Sequence, residues 1–166
     1  MATLDNLKAA FAGESQANRK YLAFAKKADE EGYPQIAKLF RAAAAAETVH
    51  AHNHLGVMEG ISATAKNLEA AISGETFEFT KMYPGFITEA DAEGAKKARW
   101  SFNVANQVEE VHAGLFKEAL AQIQMAAKAS GPDYYVCSVC GNTVLGDAPD
   151  KCPICGAAKS KFERVA

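Results

Sequence analysis

A repeat inside the first three quarters of the chain restricts its fold more than any other feature. Asn6–Glu14 (NLKAAFAGE) matches Asn67–Glu75 (NLEAAISGE) at an offset of 61 residues. Glu47–Ala51 (ETVHA) matches Glu109–Ala113 (EEVHA) at an offset of 62, and Glu31, Gly32 and Phe40 find partners in Glu93, Gly94 and Phe102. One inserted residue accounts for the step from 61 to 62. Residues 1–129 are filled with Ala, Leu, Lys, Glu and Gln, the strongest helix formers, so both copies read as helix. The first helix is expected from Thr3 to Glu30 and Glu31, with Gly32 as its stop. The second starts at Pro34, a residue suited to a first helical turn, and runs to about Gly60. After the short linker Ile61–Thr64 comes a third helix. Pro84 should kink or interrupt it, because the ring clashes with the carbonyl of Thr80. Gly94 ends this helix, and a fourth runs to about Ala129. The chain thus reads as one helical hairpin used twice, its copies related by a pseudo-two-fold axis in a four-helix bundle.

Composition sets a boundary within the chain. Thirty of the 34 alanines precede residue 131 and all four cysteines follow residue 136, so the tail is built on another plan. Ser130–Asp133 reads as a linker, which predicts a helical domain over 1–130 and a second domain over 131–166. Some 35 residues are too few to stabilise themselves by burial. With 18 Lys+Arg against 20 Asp+Glu, the chain lacks the basic excess of a nucleic-acid binder. It has no apolar run long enough to cross a membrane and no signal-like N-terminus, which predicts a cytoplasmic protein with no membrane partner.

The repeated positions include the residues with chemistry. Each half supplies one Glu on its first helix, Glu14 or Glu75, and a Glu-x-x-His on its second, Glu47/His50 or Glu109/His112. Residues three apart share a helix face, so each Glu and its His can grip one ion. A single Glu-x-x-His is usually surface decoration. Two at matching repeat positions, each with a matching Glu, form the ligand set of a carboxylate-bridged di-iron site. Carboxylates and imidazoles suit iron or manganese better than zinc. The repeat breaks at Glu78, three residues after Glu75, whose counterpart is Ala17; this adds a seventh candidate ligand on one side only. His52 and His54 are out of phase with Glu47 and are expected to be non-ligands. Trp100 reads as a packing residue.

In the tail, Cys137-x-x-Cys140-Gly and Cys152-x-x-Cys155-Gly are separated by eleven residues. Four thiolates at this spacing make a tetrahedral single-metal site. Zinc and iron are both compatible with it. Spacing alone favours zinc, and an iron redox site on the same chain reverses that preference.

Together, Phe11–Ala17, Glu47–Ala51, Gly74–Glu78 followed by Met82-Tyr83-Pro84, Glu109-x-x-His112 and the paired knuckles resemble the rubrerythrin family over essentially the whole chain. The resemblance implies a ferritin-like di-iron bundle joined to a rubredoxin-like iron–tetracysteine domain. It also implies reduction of hydrogen peroxide to water in oxidative-stress defence, with electrons from an external reductase or rubredoxin-like donor. By motif, Glu47 and Glu109 would bridge two irons. Glu14 would be a terminal ligand of one, and Glu75 and His112 of the other. The first iron would exchange between Glu78 and His50, which makes these two the catalytic candidates. Tyr21 and Tyr83 match tyrosines beside the family's site. The short connection between the second and third helices departs from a long ferritin-like crossover: about five residues span roughly 18 Å, against roughly 37 Å for a 25-residue helix. Either the bundle has a simple up-down-up-down topology, or the first hairpin of one chain packs on the second hairpin of another; the second arrangement, preferred here, is a domain-swapped homodimer. The alternative functions are a ferroxidase or oxygen reductase on the same centre, or an iron-handling ferritin-like protein with a structural zinc ribbon.

Overall fold

The structure, a computed structural model of the chain, describes residues 2–125 and 131–165. The chain forms two compact units that divide between Ser62 and Ala63.

The first unit is an antiparallel hairpin of α1 (Ala2–Glu30) and α2 (Pro34–Val57). Its seam is made of buried Ala25, Ala28, Ala37, Ala44 and Ala51, small side chains that let the two backbones approach closely. Tyr21, Phe24 and Phe40 stack beside it, with ring centroids 5.6–6.3 Å apart. Buried Asn18 donates from Nδ2 to the Ala44 carbonyl (2.7 Å) and to Thr48 Oγ1 (2.8 Å), fixing the register of the hairpin. Gly32 adopts φ +81°, which lets the Tyr33 N–H close back on the Ala28 carbonyl at 2.8 Å. α2 ends three residues before the expected Gly60. Glu59 takes φ +55°, and the Gly60 N–H closes on the Leu55 carbonyl.

The second unit repeats this plan with one change. α3 (Thr64–Phe77) leads into a π-helical turn (Glu78–Met82), then α4 (Tyr83–Ala92) and α5 (Lys96–Gln124). The interruption expected at Pro84 takes this form. The Tyr83 N–H reaches back five residues to the Glu78 carbonyl, and Pro84 occupies the first turn of α4, where no N–H is needed. A π turn is a one-residue insertion in a helix. It lies between the matches at offset 61 and those at offset 62, so it is the inserted residue. Past it the packing repeats at 62: Tyr83, Phe86 and Phe102 form the same trio, at 5.5–6.3 Å. Gly94, at φ +66°, likewise lets the Ala95 N–H reach the Ala90 carbonyl at 2.9 Å. Trp100, expected to pack, is 51% exposed. The expected helix end at Ala129 and the domain boundary at Ser130 lie outside the described residues.

The tail forms an antiparallel sheet in the order β2-β1-β3, from β1 (Tyr134–Cys137), β2 (Thr143–Leu145) and β3 (Phe162–Val165). Tyr135 pairs with Val144 on one side and Arg164 on the other. Among the described residues the largest fully buried side chains are Cys137 and Cys152, so sulfur stands where a larger domain would have Leu or Phe. Among the described residues no helix is long and apolar enough to cross a membrane.

Candidate metal centres

The knuckles are shaped by their glycines. Gly141 at φ +87° and Gly156 at φ +77° send their N–H groups back to the Cys137 and Cys152 carbonyls, at 2.8 and 2.9 Å. The four thiols meet as one cluster, with Sγ atoms 3.7 Å apart for Cys137–Cys155 and 3.6 Å for Cys140–Cys152. These distances are too long for disulfides, which need about 2.05 Å. They match the edge of a tetrahedron with metal–sulfur bonds of about 2.3 Å, which is about 3.8 Å. Burial pushes the Cys140 and Cys155 thiols up. Burial also opposes ionisation of Cys152, yet the backbone N–H groups of Cys155 and Ile154 and the neighbouring thiols bring it down to about 7. A cation that accepts thiolates resolves this crowding, so the donor set fits a metal ion.

Each helical unit gathers its own trio of donors. Glu14, Glu47 and His50 lie together in the first unit, and Glu75, Glu109 and His112 in the second, with ligand atoms within 4.8 Å inside each group. The Glu-x-x-His spacing brings His50 Nδ1 to 3.0 Å from Glu47 Oε2, and His112 Nδ1 to 2.8 Å from Glu109 Oε2. In both pairs the Glu is mostly covered, at 17% exposure. His50 is 53% exposed and His112 27%. Glu78 is not in the second trio, but it faces it: its carboxyl is pushed up by burial and by the charge of Glu109. His52 and His54 join neither cluster among the described residues.

The second trio is electrostatically strained without a cation. Burial first, then the charge of Glu109 and a hydrogen bond to it, raise Glu75 to about 7; His112 acts against this and Glu78 adds to it. Tyr83 is raised by burial and by Glu109, Glu78 and Glu75, which places its hydroxyl beside the same carboxylates. Tyr21 stays within its aromatic trio. Two carboxylates clustered with one imidazole, and a third carboxyl facing them, fit a hard or intermediate cation such as iron. A cavity of about 480 Å³ opens onto Glu75 and His112, walled by Leu68, Leu115, Phe116, Tyr134 and Val136.

Two polar residues at these sites carried no motif. Asn18 clamps α1 to α2 one turn from Glu14, and one buried Asn in a helical sequence has no distinguishing pattern. Thr143, in the strand after the first knuckle, places Oγ1 2.9 Å from His112 Nε2. That contact joins residues 31 apart in sequence, and spacing gives no sign of it.

Helical hairpins carrying duplicated Glu and Glu-x-x-His ligands, followed by a tetracysteine sheet, define a ferritin-like di-iron protein with a rubredoxin-like tail. Comparison with known proteins agrees. The rubrerythrin family profile matches residues 5–120, and that of the rubrerythrin rubredoxin-like domain matches 135–163. The chain is 40% identical to nigerythrin of Nitratidesulfovibrio vulgaris, over 97% of this chain and 85% of that protein. It is 35% identical to rubrerythrin-2 of Clostridium acetobutylicum, over 97% and 95%. Among solved structures, partially reduced nigerythrin aligns with TM-score 0.60 at 38% identity, covering 98% of this chain and 86% of that one. Fully reduced, all-ferrous nigerythrin aligns with TM-score 0.57 at the same identity and coverage. The chain belongs to the rubrerythrin family.

Proposed function

We propose that the chain is a non-haem di-iron peroxidase that reduces hydrogen peroxide to water in oxidative-stress defence in the cytoplasm. The overall reaction takes peroxide, two protons and two electrons to two waters. When bound, the iron pair supplies the two electrons that cleave the O–O bond, and an iron in the cysteine site passes replacements one at a time from an external reductase or rubredoxin-like donor. The observation that carries this reading is the contact between the two centres: Thr143, three residues from Cys140, touches the imidazole of His112. A storage protein that only oxidises iron has no use for an electron supply at that position.

Glu47 and Glu109 would bridge, Glu14 would be terminal on one side, and Glu75 and His112 on the other. Glu78 and His50 would exchange as ligands of the first iron. An anionic carboxylate favours ferric iron, and a neutral imidazole favours ferrous iron. The exposure of His50, whose one side-chain partner among the described residues is Glu47, leaves its ring free to move. Tyr83 keeps its proton and can donate a hydrogen bond to the carboxylates around it.

The domains in this reading are 1–130 and 131–166, and the working unit is a homodimer. Each trio holds one ion and needs a second trio opposite. The linker, residues 58–63, spans at most about 20 Å, whereas the 24-residue α2 is about 36 Å long. A partner chain can supply the facing hairpin without a crossover, as a domain-swapped pair. Large apolar side chains exposed on each unit, such as Leu39 (68%) and Phe77 (59%), offer the surface for it.

Metal analysis and stopped-flow oxidation test the function. The expected result is about three irons per chain and oxidation of the reduced protein by peroxide faster than by dioxygen. Faster oxidation by dioxygen would replace the peroxidase with an oxygen reductase or ferroxidase, and zinc in the cysteine site would remove the relay. Glu78→Ala should slow peroxide turnover roughly tenfold or more with most iron retained; unchanged turnover removes Glu78 from the mechanism. A monomeric solution mass with full iron loading would exclude the swapped dimer.

A further inference from the structure

We infer that Thr143 is the positioning residue of the second half-site: its hydroxyl fixes His112 with the proton on Nε2, presents Nδ1 to the metal, and makes this half of the site the rigid one. The assignment follows from counting protons. A hydroxyl has one to give. Thr143 Oγ1 lies 3.1 Å from the Gly141 carbonyl, which can only accept, so the hydroxyl proton goes there. Its second contact, at 2.9 Å to His112 Nε2, must then be one in which the imidazole donates. With the proton on Nε2, the lone pair is on Nδ1. That nitrogen and Glu109 Oε2 form a hydrogen-bonded pair at 2.8 Å, in which a cation takes the place of the shared proton.

The chain Gly141 carbonyl, Thr143 hydroxyl, His112 ring ties a ligand of the helical site to the loop that carries Cys140. Hydrogen bonding at the remote nitrogen of a metal-bound histidine fixes ring orientation and raises ligand basicity. His50, the repeat counterpart of His112, has no such support among the described residues and is about twice as exposed. The repeat therefore supplies two equal histidines, and the appended domain locks one of them.

The inference rests on the metal site and not on the choice of oxidant, so its test reads metal binding and potential. Thr143→Val removes the acceptor at nearly constant volume, and Thr143→Ser keeps it. In the full-length chain, with the iron–tetracysteine absorption confirming that the tail is intact, Thr143→Val should weaken one ferrous ion per chain by roughly 10–100-fold. Thr143→Ser should stay within about threefold of wild type. The di-iron potential should rise in the valine variant, because a less basic imidazole stabilises ferric iron less. Unchanged affinity and potential in Thr143→Val, or a serine variant as weak as the valine one, would overturn the assignment. A measurement on the wild type needs no variant: in the zinc-loaded chain, nitrogen NMR should find His112 protonated at Nε2 and metal-bound at Nδ1. The reverse pattern would refute the proposal even if peroxide turnover were confirmed.

Discussion

Loading the metal-free chain with iron should release a proton from Glu75, and the structure sets its size. The Glu75 carboxyl is held up to about 7, by partial burial and then by Glu109, to which its protonated form donates a hydrogen bond. At pH 6 such a group is about 90% protonated, whereas a glutamate at its ordinary value of about 4.5 is about 3% protonated. Metal ions take the carboxylate form. Filling the second trio at pH 6 therefore expels about 0.9 proton from this position, against about 0.03 from an unstrained carboxyl. Below pH 7 the affinity falls as protons compete, and above it this contribution levels off. Glu75→Gln removes the proton twice over: the side chain no longer titrates, and Glu109 loses its charged neighbour. Calorimetric titration with ferrous ion under anaerobic conditions, in buffers of different ionisation enthalpy, counts protons released per ion bound. Wild type should exceed Glu75→Gln by about 0.9 proton at pH 6 and by only about 0.1 at pH 8. Groups that ionise on binding but do not interact with Glu75 cancel in the comparison. Equal release by the two proteins at pH 6, at full occupancy, would refute the crowding of Glu75 and Glu109 from which the value comes.

The same shift has a consequence for stability without metal. The folded carboxyl holds its proton to higher pH than the unfolded one, so its contribution is fully present below about pH 4.5 and is lost as pH rises through about 7. Urea midpoints of the metal-free chain should fall across that window, and less so in Glu75→Gln. Gly94→Ala places a side chain at φ +66° with nothing to strike, so only backbone strain counts, about 1 kcal/mol in urea unfolding. Asn18→Ala loses one buried and one half-buried hydrogen bond, but Thr48 Oγ1 still donates to the Ala44 carbonyl at 3.1 Å, which limits the cost to about 1–2 kcal/mol.

What could be read before folding was whatever is periodic. Glu47 and His50 share a helix face because they are three apart, and the knuckles cluster because a turn of fixed length brings Cys137 near Cys140. The offset of 61 changing to 62 was also legible, but not its form: an inserted residue could equally sit in a loop. Only the hydrogen bond from the Tyr83 N–H to the Glu78 carbonyl shows that the insertion is a π turn inside a helix. Contacts between distant, unpatterned residues stayed hidden. Thr143 reaches His112 through the folding of the tail onto α5, and neither residue type nor spacing announces it. Trp100 shows the same gap: an aromatic residue is apolar by composition, but which face of α5 it occupies depends on the partner helix.

The two departures from symmetry fall on the same unit, and this has a chemical meaning. Two equal half-sites would give their irons equal ligands, and neither would be favoured to change its coordination. A difference must come from residues without a counterpart. Glu78, opposite Ala17 in the repeat, is one; it opens the π turn and faces Glu109. Thr143 is the other, because the cysteine domain is appended once and not twice. One offers an extra carboxylate, and the other holds His112 still while His50 keeps its freedom. In this reading the tail has a second effect besides holding a metal of its own: by binding His112 through Thr143, it makes the second copy of a duplicated motif the fixed half of the site.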